Sequence, residues 1–473
     1  MFSDIITDKG TISDESNNEN VMARIYPSAS VRRREIHPHL TPAWRRRIRS
    51  RRQVDLAMSS IAVQPVATSA TTCLAVHPRQ DRMLLTGGAD CSLGLYDLDR
   101  RSAVGLDSTT RSTARADGGG VDRRRFVLPI AHVGGIRGDG GAGAGVAAAK
   151  RHRHKNSVTT VAWYPPDPGL FLSGGMDGWV KLWDSSAFSV AEQFEVGEHV
   201  YCAAFQAGAT QSHALIAVGT EASEIVLCDL NQGIATHRLR GHCDAISALA
   251  WSPLDEHVFA SGGNDGTVRL WDVRRAGGSA CFATLGMHRT AQAALHRSTH
   301  PAAAAPLSPR SRSAPLAHHG AVTALRFTAS GRHLVSSGRD QQARVWDMSS
   351  PLLAGSNTLS HFAQLSNSPR RGGANSLVVA GSGDAATMYH ACGAKGRDVG
   401  VYGLFDGELK QRLKGHFDAI WCSAYRADAQ ELITSGKGGL IATWRPAEDE
   451  RGGGGRGGGA DDWSDDDVGP TGG

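Results

Sequence analysis

Short runs in which apolar and polar residues alternate recur along this chain. AISALAW, VFASGG and VRLWD are examples, and their period of two is that of a half-buried β-strand. Gly-Asp and Asn-Asp-Gly pieces lie between such runs and supply tight turns. The pattern predicts an all-β chain of many short antiparallel strands. One segment departs from it. In HPHLTPAWRRRIRSRRQVDLAMSS, Thr41 suits a helix N-cap and Pro42 the first helical position. Trp44, Ile48 and a later Val54/Leu56 pair form a partial apolar stripe, and arginines cover the rest. A helix is expected near 41–57. The longest weakly polar run, Gly140 to Ala149, is far shorter than a membrane span.

The strand runs belong to repeats. Four segments end alike, LWD at 182–184, LWD at 270–272, VWD at 345–347 and TWR at 443–445. His154 and His242 precede Trp183 and Trp271 by 29 residues; His318 and His416 precede Trp346 and Trp444 by 28. A hydroxyl residue falls ten before the tryptophan (Ser173, Ser261, Ser336, Thr434) and an aspartate six before it (Asp177, Asp265, Asp340). This spacing resembles the WD-repeat family. Weaker copies have Tyr96, Cys228 and Tyr402 where tryptophan belongs, giving seven repeats at 66–99, 154–184, 190–230, 235–273, 316–348, 375–405 and 408–446. Four strands make one blade, whose faces must be buried against the neighbouring blades, so the expected fold is a seven-bladed propeller over 60–446. A buried indole N–H needs an acceptor, and a Ser–His–Asp chain can satisfy it. The sets His154/Ser173/Asp177/Trp183, His242/Ser261/Asp265/Trp271 and His318/Ser336/Asp340/Trp346 are therefore read as structural tetrads, not catalytic triads. The third and sixth repeats lack His and Asp, and the seventh carries Gly438 at the Asp position, so mainly apolar packing is expected to hold those blades. The stretch 61–66, IAVQPV, reads as a lone N-terminal strand that completes the last blade and closes the ring.

Composition changes the picture at the gaps and ends. Glycine is 57 of 473 residues, and it concentrates in insertions near 100–153, 274–315 and 349–374. Their Gly, Ala, Arg and Ser content cannot bury enough apolar surface to fold alone, so they are expected to be disordered. The tail, 447–473, is acidic and glycine-rich and expected to be disordered as well. Residues 1–59 form a basic arm, with nine arginines and one acid, Glu35, between Arg32 and Arg52. A solvated face, an import signal and a partner-docking helix all fit such a run. The net charge of +5 does not imply wholesale nucleic-acid coating. Gly138, Gly140 and Gly143 match GxGxxG without a preceding strand, so no dinucleotide site is expected. No acidic pair or Cys/His set has catalytic or ligand spacing, and neither a cofactor nor enzymatic activity is expected. Eight scattered cysteines without a CxxC pair read as reduced thiols, and MFSDIITDKG lacks the features of a secretory signal.

Local sequence narrows the resemblance. HKNSVTTVAWYPPDPGLFLSGGMDGWVKLWD, the LCDL at 227–230, WDVRRA at 271–276, LKGH at 413–416, the Arg-rich WRRRIRSRRQVDLAMS and a tail motif with Asp461, Trp463 and Ser464 resemble the Cockayne syndrome group A family. That resemblance implies a non-enzymatic nuclear substrate receptor of a cullin-4 ubiquitin ligase, docked on the damaged-DNA-binding adaptor and acting in transcription-coupled excision repair. It implies the Cockayne syndrome group B ATPase and RNA polymerase II as targets, and neither sequence-specific nucleic-acid binding nor a membrane. WDVR at 271–274 matches the WDxR signature of such receptors. Trp44, Arg45, Ile48, Arg51 and Arg52 would then dock on the adaptor, with Arg274 as an exposed secondary contact free to meet a charge. The alternative is a general WD-repeat scaffold in a nuclear chromatin or RNA-processing complex.

Overall fold

The computed structural model describes residues 52–59, 62–100, 126–134, 153–206, 214–275, 280–286, 291–292, 315–349, 358–362, 365, 376–392 and 396–447. Seven antiparallel sheets of four strands, one of them with a fifth added, form the blades of a propeller. Blade 1 runs from Thr71–Val76 to Pro129–Val133, blade 2 from Val158–Trp163 to Ser189–Glu195, and blade 3 from Val200–Phe205 to Ile234–Arg240. Blade 4 starts at Ile246–Trp251, blade 5 runs from Val322–Phe327 to Thr358–Phe362, and blade 6 from Val378–Ala380 to Leu409–Leu413. Blade 4 reaches its fourth strand at Cys281–Leu285 and adds a short fifth, Ala291–Gln292. Blade 7 takes Ile420–Arg426, Glu431–Gly436 and Ala442–Pro446 from the end of the chain and its outer strand, Leu56–Met58, from the beginning.

The core lies between blades rather than within them. Seven apolar clusters fill the seven seams, for example Leu172, Val180 and Phe194 of blade 2 against Val200, Ile216 and Val226 of blade 3. A single sheet cannot bury either face alone, so each blade depends on both neighbours. Tight turns join the second and third strands. In blade 4 this turn holds Gly266 at φ 76°, and a side chain there would strike the His318 carbonyl of blade 5.

Three expectations need correction. The closing strand is Leu56–Met58, paired Leu56↔Pro446, Ala57↔Arg445 and Met58↔Trp444, and not the stretch 61–66. Within that stretch, Ala62–Val63 instead pairs in parallel with Phe126–Val127, and Val63 bridges to Ile441. The helical turn at 52–54 ends before Leu56, so the helix expected to 57 gives way to strand; its remainder, 41–51, lies outside the described residues. The reason is the open edge at Trp444: pairing there satisfies backbone groups and buries Leu56 at 3 % exposure, which a solvent-facing helix could not do. Each of the three insertions expected to be disordered also contains the fourth strand of its blade, Pro129–Val133, Cys281–Leu285 and Thr358–Phe362. Their few apolar residues are outnumbered by the Gly, Ala, Arg and Ser around them, so composition averaged over each insertion hid the strand. The tail, 448–473, lies outside the described residues.

Candidate protein-interaction site

The tetrads form as spaced. In blade 2, Trp183 Nε1–H donates to Ser173 Oγ (2.8 Å), the hydroxyl donates to His154 Nε2 (2.7 Å), and His154 Nδ1–H donates to Asp177 (2.9 Å). Blade 4 repeats this through Trp271, Ser261 and His242 to Asp265 at 2.7, 2.6 and 3.1 Å. Blade 5 does so through Trp346, Ser336 and His318 to Asp340 at 2.8, 2.7 and 3.0 Å. The donor order fixes each histidine as its Nδ1–H tautomer. Burial alone would raise the pKa of Asp265, but the hydrogen bonds and field of His242 outweigh it and the pKa falls. Burial lowers His242 and His318, against the pull of their aspartates. Ser173, Ser261 and Ser336 are 0 % exposed, so none can act as a nucleophile on a substrate.

Sequence reasoning missed part of this machinery. A base stands two residues before each tetrad tryptophan: Lys181, Arg269 and Arg344. Arg344 donates to Asp340 (3.0 Å), and Lys181 Nζ donates to the Arg153 carbonyl (3.1 Å). The signal was visible in VKLWD, VRLWD and ARVWD. His390 was not legible. It is fully buried, Nε2 accepts from Ser337 of blade 5 (2.8 Å), and Nδ1–H donates to Ala391 O (2.7 Å). Blade 6 is thus held by a polar bond beside its apolar packing. In blade 7, His416 Nε2 meets Thr434 Oγ1 (2.7 Å), and Trp444 Nε1–H donates to the same oxygen (2.8 Å). With Gly438 in place of an acid, burial pushes His416 down to about 4.

Hairpin connectivity gives the propeller two unlike faces. Loops between the first and second strands, and between the third and fourth, share one face. Residues 52–56 lie there. Tyr389 Oη donates to Gln53 O (2.7 Å), Gln411 Nε2 donates to Leu56 O (2.9 Å), and Ala447 N donates to Asp55 O (3.1 Å). Arg52 is half-buried at the start of that stretch; Trp44, Arg45, Ile48 and Arg51 lie outside the described residues. Arg274 lies on this same face, after the third strand of blade 4, with its side chain 56 % exposed. It is not free. Its Nε and Nη2 hold both oxygens of Asp272 (2.9 and 3.0 Å), and Asp255 stands 3.8 Å away. Arg52 and Arg274 therefore share a face but not a blade, and Arg274 is posed by Asp272 rather than loose.

The opposite face carries the first residues of the inner strands and the turns that hold the tetrad aspartates. A cavity of about 440 Å³ opens there across blades 3, 4 and 5, lined by Tyr201, Glu221, Asp244, Asn264 and Arg339 among others. Two carboxylates and one guanidinium give it mixed charge. Among the described residues, no three His, Cys, Asp or Glu side chains converge as a metal site, and no helix is long and apolar enough to cross a membrane.

The WD domain, G-beta repeat family matches residues 148–184, 233–272 and 311–347, which coincide with the three tetrad blades. The chain is a WD-repeat protein. It is similar to the WD repeat-containing protein ATCSA-1 of Arabidopsis thaliana, 28 % identical over 92 % of this chain and 99 % of that relative. It is similar over shorter stretches to the ribosome biogenesis protein YTM1 of Yarrowia lipolytica, at 28 % identity over 42 % of this chain and 41 % of that one. The radiation-sensitive protein 28 of Saccharomyces cerevisiae is also 28 % identical, over 25 % of this chain and 24 % of its own length. WD-repeat propellers are typically scaffolds rather than enzymes.

Proposed function

We propose that this WD-repeat protein is the substrate-recognition subunit of a nuclear cullin-4 ubiquitin ligase. It would be bound through the damaged-DNA-binding adaptor and act in transcription-coupled nucleotide excision repair, with the Cockayne syndrome group B ATPase and RNA polymerase II as targets. The observation that carries this reading is the near full-length likeness to ATCSA-1, which spans arm and propeller together. The geometry supports it in one respect. Residues 52–55, at the foot of the arm, and Arg274 lie on one face, leaving the mixed-charge cavity on the other, so one partner can be held while a second is engaged.

On this reading Trp44 and Ile48 enter an apolar cleft of the adaptor while arginines pair at its rim, a helix-in-groove mode. Central apolar anchors outweigh rim charges, so Trp44→Ala weakens adaptor binding more than Arg51→Ala, and the rim makes association salt-dependent. The test measures binding of purified adaptor to the full chain, to these two variants and to a variant lacking residues 1–50, which keeps the closing strand. Undiminished affinity without residues 1–50 overturns the docking role.

A second reading is a scaffold in a nuclear RNA-processing or chromatin complex without a ligase, favoured by the likeness to YTM1. Recovery of adaptor and cullin-4 with the chain from nuclear extract decides between the two.

A further inference from the structure

The described residues expose seven large apolar side chains, and these are not spread evenly. Ile234, Leu254, Leu316 and Leu409 stand one each in blades 3, 4, 5 and 6, whereas Met58, Phe417 and Leu440 all belong to blade 7. Phe417 is 84 % exposed, in the loop that enters the inner strand of this blade on the cavity face. A side chain at Gly415 of that loop would strike the sulfur of Met58. Leu440 lies in the adjoining turn, where Lys437 N–H donates to Ala419 O (3.0 Å). Apolar side chains that cluster in the open mark a contact surface.

The charge around Phe417 follows from what blade 7 lacks. The turn beside the entering loop holds Asp177, Asp265 or Asp340 in blades 2, 4 and 5; in blade 7 it holds Lys437, Gly438 and Gly439. Lys414 and Lys437 are exposed, and among the described residues neither makes an ion pair. Arg397, also exposed, stands in the turn of blade 6 that corresponds to Gly266 of blade 4, the residue against His318 of the next entering loop. Against these three cations stand Asp418, beside Gly438, and Asp398. Burial keeps His416 uncharged, so the surplus is positive.

The arm and the three large insertions each carry more arginine than acid, so their charge does not suit this end of blade 7. The tail does, with eight acids and two arginines between Glu448 and Gly473. It also leaves from the same blade: the third strand ends at Pro446, and Ala447 N–H donates to Asp55 O. Trp463, the one aromatic after Ala447, follows sixteen residues later among Asp461, Asp462, Asp465, Asp466 and Asp467. A glycine-rich stretch of that length has a root-mean-square reach of about 20 Å, the height of a six-residue strand.

We propose that this acidic segment docks in cis on the cavity-face end of blade 7, with Trp463 on Phe417 and the aspartates toward Lys414, Lys437 and Arg397. Tethering raises the local concentration of the segment to about the millimolar range, so a weak contact suffices. An aspartate in place of Gly438, as in the tetrad blades, would repel it. A partner that takes this end of blade 7 must first displace the tail.

Zero-length carbodiimide coupling, which joins a carboxylate to a lysine amine in contact with it, tests this on the full chain. Mapped by mass spectrometry, the aspartates of 461–467 couple to Lys414 and Lys437 about fivefold more than to Lys155, the exposed lysine in the matching loop of blade 2. Phe417→Ser and Trp463→Ser each lower that coupling about fivefold. Phe417 packs against little, so its variant keeps the fold. In a mixture of isotopically light and heavy chains, each coupled pair carries a single label. Even coupling among the lysines, coupling that both variants leave intact, or pairs of mixed label, as from a second copy seated on the patch, overturns the proposal. So does an absence of coupling, which assigns the patch to another molecule.

Discussion

Replacing Asp265 with alanine tests whether the tetrads are scaffold. The carboxylate accepts from His242 Nδ1 (3.1 Å), Cys243 N (2.9 Å), Thr267 N (3.0 Å) and Thr267 Oγ1 (2.7 Å). Cys243 is exposed, so water replaces its bond at little cost. His242 and Thr267 are 6 % and 3 % exposed, so their donors are not easily rehydrated. Thr267 Oγ1 stands 3.1 Å from His242 Nδ1 and can accept its proton, which leaves the Thr267 N–H and one disturbed pair. At about 1–3 kcal/mol for each buried group left unsatisfied, the loss is roughly 2–4 kcal/mol. For a propeller of this length that lowers Tm by roughly 2–5 °C. Asp265→Asn keeps an oxygen for Thr267 but not the pairing with His242, so about half the loss is expected. Urea and thermal unfolding, followed by tryptophan fluorescence, give the stability; adaptor binding well below Tm should be unchanged. A Tm within about 1 °C of the unaltered protein refutes the network, and lost binding in a stably folded variant refutes its purely structural role.

Three further outcomes follow from the same geometry. Leu56→Ala empties a site 3 % exposed against Trp444 and Tyr389, so a loss of about 2–5 kcal/mol is expected in urea unfolding; a surface-like loss under about 0.5 kcal/mol contradicts ring closure by this strand. Excision of 102–123 should be tolerated on composition, whereas excision of 105–148 removes Pro129–Val133 and buried Val133 and should unfold blade 1; equal melting of the two excised chains contradicts that. His390 and His416 both sit at about 4 in the fold, lowered by burial from 6.5. The unfolded chain then binds more protons between those values. Stability is therefore full above about pH 6.5 and falls as pH drops toward 4, by up to about 3 kcal/mol per histidine. Melting that is independent of pH from 7 to 4.5 would exclude both, and His416→Gln should remove about half of the slope.

The repeats, their number and the three tetrads were legible in the sequence because each lies within one blade. A tetrad spans about thirty residues, so its geometry is written as fixed spacing between His, Ser, Asp and Trp. The bases two before each tryptophan were equally local and could have been found. Arg274 stands two residues past the third strand of blade 4. Its pairing with Asp272 is only two residues long, but it depends on side-chain direction, which spacing does not give.

What joins one blade to another was left to the tertiary structure. Leu56 meets Gln411, Tyr389 meets Gln53, and Arg426 meets Asp99 across more than three hundred residues, and no local pattern records such pairs. The same applies to His390 and Ser337, each unremarkable in its own repeat. LAM at 56–58 reads equally well as the end of a helix or as a strand, and the open edge of blade 7 decides between them. The outer strands at 129–133, 281–285 and 358–362 are hidden in low-complexity sequence for the same reason. Each is specified by the backbone groups that the third strand of its blade leaves to be satisfied, which no local pattern records.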